Sequence, residues 1–288
     1  MLLSIPSGAS LTEARKKEIY AIASEFNLII LEDDPYYWMQ FVDQGQERTK
    51  SFMVRHCPSS PPCAVQPNSH LSPLLFLKFL QSMDVDGRVL RFDSFSKLLS
   101  SGLRVGFVTG PPELIQRIEF HAQASVLHSS GISQALVSGL FDSWGPAKNE
   151  ESNNKEQNGA VVSSSYDGFV KHCEGIVDFY RVRRDAFVES AHKHLGPELV
   201  EFSIPDAGMF CWLKFLTVKD SDAFIKQKAK DAKVLLVPGQ SFDPLDKTSS
   251  YARAAYSTAS LEEMDVALER LGVLLREHEE EVTTTTTN

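Results

Sequence analysis

"RFDSFSKLLSSGLRVGF", residues 91–107, is the stretch on which the reading of this chain turns. "GRVLRFDSF", residues 87–95, has the composition of a strand, and Lys97 follows directly at its carboxyl end. A lysine in that place is ordinarily a solvated surface charge. Here Ser94 and Ser96 precede it, Arg104 stands seven residues later, and glycines occupy 102 and 106. Hydroxyls and a guanidinium around one amine suit a phosphate held beside a reactive nitrogen.

Outward from that stretch, the neighbouring segments build an α/β sheet. Ser10 to Phe26 predicts a helix, opened by a capping box at Ser10 and Glu13, with Ile19, Ile22, Ala23 and Phe26 on one face. The buried-strand run "NLIILE" follows and ends in the acidic "DDPYYW". "LRVGFVTGP" predicts a further strand, and residues 112–124 and 131–143 predict helices. A long amphipathic helix is expected over 166–194, with Phe169, Val177, Tyr180 and Phe187 among its apolar positions. Beyond Gly196 the pattern changes to "VEFSIP", "GMFCWLKF", a helix near 221–232, "KVLLVPG", "YARAAYS" and a last helix from Leu261. Four regions are therefore expected. Residues 1–165 form a large domain with a long loop at 43–72 and a mobile insertion at 146–165. Residues 166–195 form a linking helix, 196–278 a smaller α+β domain, and 279–288 a disordered tail.

Composition removes several classes of function. A net charge of -9 opposes extended nucleic-acid binding, which needs a basic face. No apolar run approaches the ~20 residues that span a bilayer. The opening "MLLSIPSGAS" lacks the basic and apolar regions of a signal peptide. The four cysteines, Cys57, Cys63, Cys173 and Cys211, lack metal or redox spacing. His56 and Cys57 with Cys63 are a weak exception inside a Pro- and Ser-rich stretch. A reducing, cytoplasmic location is expected.

Ligands bind open α/β sheets at the carboxyl ends of strands. Asp33 ends the first strand, Tyr36 lies three residues further on, and Lys97 follows the second strand. A lysine amine can join an aldehyde cofactor covalently, and such a cofactor needs a carboxylate to keep its pyridine nitrogen protonated. Asp33 suits that task, although Asp34 to Tyr37 has the same spacing as Asp33 to Tyr36. Ser94, Ser96 and Arg104 suit the phosphate, with Ser96 also readable as a turn hydroxyl. Tyr37 and Trp38 read as packing residues, and Gly208-Met209-Phe210 as either a substrate entrance or a core strand. The set fits pyridoxal 5'-phosphate.

"DSFSKLLSSGLRVGF" with "LEDDPYYWMQF" resembles the fold-type I, class I/II aminotransferases, and most of all the aromatic, kynurenine and 2-aminoadipate aminotransferase branch. The resemblance runs from about Ser10 to Leu275 and includes "IPDAGMFCWLKF", "VLLVPGQSF" and "YARAAYSTAS". It implies a partial, mostly parallel large-domain sheet with helices, plus a smaller α+β C-terminal domain. Lys97 would hold the cofactor covalently and shuttle a proton, Asp33 would pair with the pyridinium, and Tyr36 with the ring's phenolic oxygen. Ser94, Ser96 and Arg104 would grip the phosphate. Arg253 would bind the substrate's α-carboxylate, or else be a solvated strand arginine. The partners implied are an amino acid and a 2-oxo acid such as 2-oxoglutarate, in a homodimer.

The family's sequences carry a further half of the large domain ahead of the helix near Ser10, with an Asn-Pro-Thr-Gly turn where this chain reads "IPSGASLTE". Impaired transamination is therefore expected of this chain alone. The competing expectation is a non-catalytic fragment that binds cofactor weakly or pairs with a longer relative. A regulator carrying an aminotransferase-like domain would need a DNA-binding module, and ten residues ahead of the first helix do not hold one.

Overall fold

The computed structural model describes residues 10–42, 51–52, 83–145 and 165–286. The expected loop at 43–72 falls outside the described residues except for Ser51 and Phe52. His56, Cys57 and Cys63 also fall outside, as does the expected insertion except Ser165. The chain divides into two compact units, mainly Leu11–Ile176 and Val177–Asn288.

In the first unit, α1 (Glu13–Glu25) is built from helix-favouring Glu, Ala and Lys. Its cap is not Ser10: the Thr12 side chain accepts from the Arg15 N–H, so the helix starts two residues later than the capping box predicts. The expected apolar face is also displaced. Ala23 is buried, but Ile22 and Phe26 are more than half exposed, and the side chain that α1 buries completely is Lys16. The reason is a carboxylate on the neighbouring strand, described below.

Strand β1 (Ile30–Asp33) pairs in parallel with β2 (Val89–Ser94), which pairs antiparallel with β3 (Gly106–Thr109). The described sheet is thus mixed, in the order β1-β2-β3. Helices α2 (Pro112–Ala124) and α3 (Gly131–Trp144) follow where expected. The long helix α4 (Ser165–His194) begins in the first unit and continues into the second. Gly168 lets α4 approach α3 closely, since a Cβ there would stand 2.4 Å from the Trp144 Cβ.

The second unit holds an antiparallel sheet in the order β4-β5-β7-β6, from β4 (Val200–Phe202), β5 (Phe210–Phe215), β6 (Val237–Pro238) and β7 (Tyr251–Ala255). Two short helices accompany the sheet: α5 (Gly196–Leu199) leads directly into β4, and α6 (Ser221–Phe224) lies between β5 and β6 in sequence. Alternation decides the inner face: Cys211, Leu213, Phe215, Ala252 and Ala254 are buried. The C-terminal helix α7 (Leu261–Thr286) contributes Met264, Leu268, Leu271 and Leu275 to the core, at spacings of four and three that keep them on one stripe. α7 runs past residue 278, into the segment expected to be a disordered tail. Lys228 pairs with Glu281 at 2.6 Å, and the Thr283 and Thr284 hydroxyls donate to the Glu279 and Glu280 carbonyls.

Candidate active site

Parallel pairing of β1 and β2 brings their carboxyl ends side by side. Asp33 stands opposite Phe92, and Ser94, two residues on, stands opposite Gly106 of β3. Side chains alternate along a strand, so Asp33, Phe92 and Ser94 share one face of the sheet, and Glu32, Asp34, Arg91 and Asp93 share the other. Asp33 is exposed and Asp34 is buried.

The turn after β2 carries Lys97, which is half-buried. Ser94 and Ser96 are linked there: the Ser94 hydroxyl donates to Ser96 Oγ at 3.0 Å and accepts the Ser96 N–H at 3.1 Å. Arg104 has φ 52°, a left-handed conformation that costs a non-glycine residue about 1 kcal/mol. It caps the short turn Ser101–Leu103, its Nη1 donates to the Ser101 carbonyl at 3.3 Å, and its side chain is exposed. Tyr36 is buried at the start of the turn Tyr37–Met39. The turn after β2 therefore gathers Ser94, Ser96, Lys97 and Arg104, and Asp33 ends the adjacent strand on the same face. An amine, paired hydroxyls, a guanidinium and a carboxylate are the donor set that a pyridine aldehyde phosphate calls for, and these residues fit it.

The opposite face holds a charged cluster that sequence reading missed. Glu32 receives the Ser51 hydroxyl and, at 3.0 Å, the Phe52 N–H, with Lys16 Nζ at 3.8 Å. Arg91 binds Asp93 through two hydrogen bonds of 2.7 and 2.8 Å, reaches Glu32 at 3.6 Å and Asp34 at 3.8 Å, and stacks on the Tyr37 ring at 4.6 Å. Among the described residues neither Asp34 carboxylate oxygen has a hydrogen-bond donor. Burial pushes Asp34 up to about 7, against the pull of Arg91 and with Glu32 adding to the rise. Burial also pulls Lys16 down to about 8, opposed by Glu32 and Asp34. For Arg91, burial works against the charge, but Asp93, Asp34 and Glu32 outweigh it and keep the guanidinium protonated. The available signal was the alternation Arg91-x-Asp93 beside Glu32-x-Asp34, which only the strand register brings together.

In the second unit, Arg253 lies on the outer face of β7, paired in register with Trp212 of β5. Its guanidinium stands over the Phe210 ring at 4.1 Å and the Phe242 ring at 4.9 Å. Phe210 therefore belongs to the arginine's surroundings, whereas Met209 is buried. Trp212 stacks on Tyr251 at 5.4 Å and meets Phe242 edge-on at 5.5 Å. Phe242 ends "VLLVPGQSF", a segment that the sequence reading noted without a role for its phenylalanine. Tyr37 and Trp38 pack as expected, Trp38 against Phe169 at 5.1 Å.

The family model "Aminotransferase class I and II" matches residues 3–271. The chain belongs to that family. It is 39% identical over 273 residues to the mitochondrial kynurenine/alpha-aminoadipate aminotransferase of Bos taurus, a match that covers 94% of this chain and 52% of that protein. The aminotransferase Aro8 of Candida albicans superposes with a TM-score of 0.67 at 27% identity, over 95% of this chain and 55% of the other. The alpha-aminoadipate aminotransferase LysN of Thermus thermophilus, solved with N-(5'-phosphopyridoxyl)-L-leucine, gives 0.71 at 23% identity, over 96% and 57%, and supports the fold. The chain spans about half the length of the curated relatives it matches. No described helix is long and apolar enough to cross a membrane, and no described cluster of His, Cys, Asp and Glu could hold a metal.

Proposed function

We propose that this chain carries the cofactor-anchoring and carboxylate-binding residues of a pyridoxal-phosphate-dependent aminotransferase. Its substrates would be an aromatic or 2-aminoadipate-type amino acid and a 2-oxo acid such as 2-oxoglutarate, the donor class following the names of its relatives. One observation carries the reading: Asp33 and Ser94 share a sheet face at adjacent strand ends, with Lys97 one turn beyond. When bound, the cofactor supplies an aldehyde for an amino group and a protonated ring that withdraws electrons.

The chain's own residues do the rest. Asp33 holds the proton on the ring nitrogen, a task for which its position on the cofactor face favours it over Asp34. The Tyr36 hydroxyl bonds the ring oxygen, and Ser94, Ser96 and Arg104 hold the phosphate. The Lys97 amine anchors the cofactor and, once released, moves a proton at the substrate's Cα. Arg253 takes the α-carboxylate in a two-point contact, its plane set by Phe210 and Phe242. Family membership suggests a homodimer as the working form. Asp33 is open to solvent, and an open site excludes water poorly, so we propose weak turnover from this chain alone. A cytoplasmic location is proposed as well, with the mitochondrial name of the bovine relative as the competing assignment. Organelle fractionation decides between them.

Incubation with pyridoxal 5'-phosphate tests the reading directly. The Lys97 amine condenses with the aldehyde and loses water, and borohydride then delivers hydride to fix the adduct. A single stoichiometric adduct at Lys97, lost in Asp33→Ala and kept in Asp34→Asn, is expected. Scattered labelling of surface lysines would overturn the assignment.

A further inference from the structure

The turn that carries Lys97 is gripped from behind by the first turns of α4. His172 Nε2 lies 2.7 Å from the carbonyl oxygen of Leu98, the residue after Lys97. A carbonyl only accepts, so Nε2 carries the proton and donates it. Hydrogen bonds within the turn run to the other side, from the Leu98 and Leu99 N–H groups to the Phe95 carbonyl at 3.2 and 2.8 Å.

The His172 ring is itself fixed, with Trp144 of α3 at 5.1 Å. Phe169, three residues earlier on the same helix face, stacks on Phe141 at 5.4 Å, and Phe141 meets Phe95 at 6.2 Å. Phe95 and Leu98, on either side of the attachment lysine, are therefore both tied to one helical surface. Phe169 also meets Trp38, two residues beyond Tyr36, so the same surface braces the other loop of the site.

We propose that His172 is a positioning residue for Lys97: its hydrogen bond to the Leu98 carbonyl fixes the turn that presents the amine to the cofactor's aldehyde. The proposal rests on reading Lys97 as the attachment residue. His172 touches neither cofactor nor substrate in this scheme and acts only through the turn. A long side chain with an N–H at similar reach should therefore replace it, and an aromatic ring of similar size without a donor should not.

The test uses the full chain and compares His172→Phe, which keeps a ring against Trp144 but cannot donate, with His172→Gln, which can. Pyridoxal 5'-phosphate titration with borohydride trapping should show about five-fold weaker loading of Lys97 in the Phe variant, the equivalent of one hydrogen bond of about 1 kcal/mol. Loading in the Gln variant should lie within about two-fold of the parent. Amide hydrogen exchange, read without cofactor, should quicken at residues 95–99 in the Phe variant alone, with α4 protection unchanged. His172→Leu replaces the Phe variant if that chain does not fold. Parent-like loading and exchange in a folded chain without the donor would overturn the proposal, as would equal loss in both variants with α4 loosened. Absence of any Lys97 adduct in the parent chain overturns the attachment reading instead, and the exchange comparison then decides alone whether His172 holds the turn.

Discussion

At the scale of single residues, the two adjacent aspartates have opposite environments. Asp33 ends β1 on the open face, whereas Asp34 is buried beside Arg91 without a hydrogen-bond donor among the described residues. The Asp34 carboxyl sits at about 7 in the fold, above its unfolded value near 3.9. Between those values the native state holds the extra proton, so stability falls as pH rises from about 4 to about 7 and then levels off. Asp34→Asn should remove that slope, gaining on the parent by a few kcal/mol at pH 8 and by much less at pH 4. Urea denaturation at the two pH values measures this. An equal difference at both would contradict it. Arg253→Lys keeps the charge but loses the planar fork between two rings. On the carboxylate-binding role proposed for Arg253, it should raise KM for amino acid and 2-oxo acid about ten-fold or more, which steady-state kinetics on both half-reactions would show.

At the scale of elements, one helix contact inverts the usual expectation for a substitution and another ties stability to pH. Gly→Ala inside a helix ordinarily stabilises by roughly 0.5–1 kcal/mol. At Gly168 the new methyl would meet the Trp144 Cβ at 2.4 Å and the Trp144 carbonyl oxygen at 3.1 Å. Gly168→Ala should therefore destabilise by about 1–3 kcal/mol, seen as a lower midpoint in thermal melting. In the second unit, Asp265 of α7 receives the Ser190 hydroxyl at 2.7 Å and His194 Nε2 at 2.9 Å from α4, with Lys193 nearby at 3.3 Å. These donors, Ser190 first, hold the Asp265 carboxyl down at about 2. Its folded value lies below its unfolded one, so its contribution is present above about pH 4 and is lost as pH falls through 2. Asp265→Asn should lower the melting temperature at pH 7 and make little difference at pH 2.

Much of this element plan was legible in the sequence, and the failures have physical causes. The periodicity of 112–124, the strand ends at Asp33 and Ser94, and the long helix of 166–194 are local patterns, and local patterns survive into the fold. The burial of Lys16 is not local: it follows from Glu32, 16 residues on, whose own partners are Ser51 and Arg91. The Thr12 cap displaced Ser10 because both residues satisfy the same simple rule, and only backbone geometry separates them. His172 was invisible for a similar reason. Its partner is a main-chain carbonyl 74 residues away, and a carbonyl leaves no mark in a sequence.

At the scale of the whole molecule, part of the exposed apolar surface gathers around one strand. In the first unit Leu28, Ile29 and Leu31 around β1 are each more than half exposed, as are Ile22 and Phe26 on α1. β1 pairs only with β2 among the described residues, and these apolar side chains border its other edge. Such an edge attracts further strands. Leu31→Lys should reduce self-association without changing secondary structure, as read by sedimentation velocity and circular dichroism. Unchanged association would place the sticky surface elsewhere, with the exposed Val126, Leu127 and Ile132 near α2 and α3 as the next place to look.

The aromatic packing also makes the molecule its own optical instrument. The sequence has three tryptophans. Trp38 and Trp144 stand around Phe169 in the first unit, on the surface that braces the Lys97 turn, while Trp212 lies face to face with Tyr251 beside the Arg253 strand position. Replacing Trp212 with Phe leaves emission that answers to events at the attachment turn. Replacing Trp38 and Trp144 leaves emission that would report a carboxylate at Arg253, the role proposed for that residue. Each half of the proposed chemistry would thus be followed by light from inside its own unit, with no dye attached.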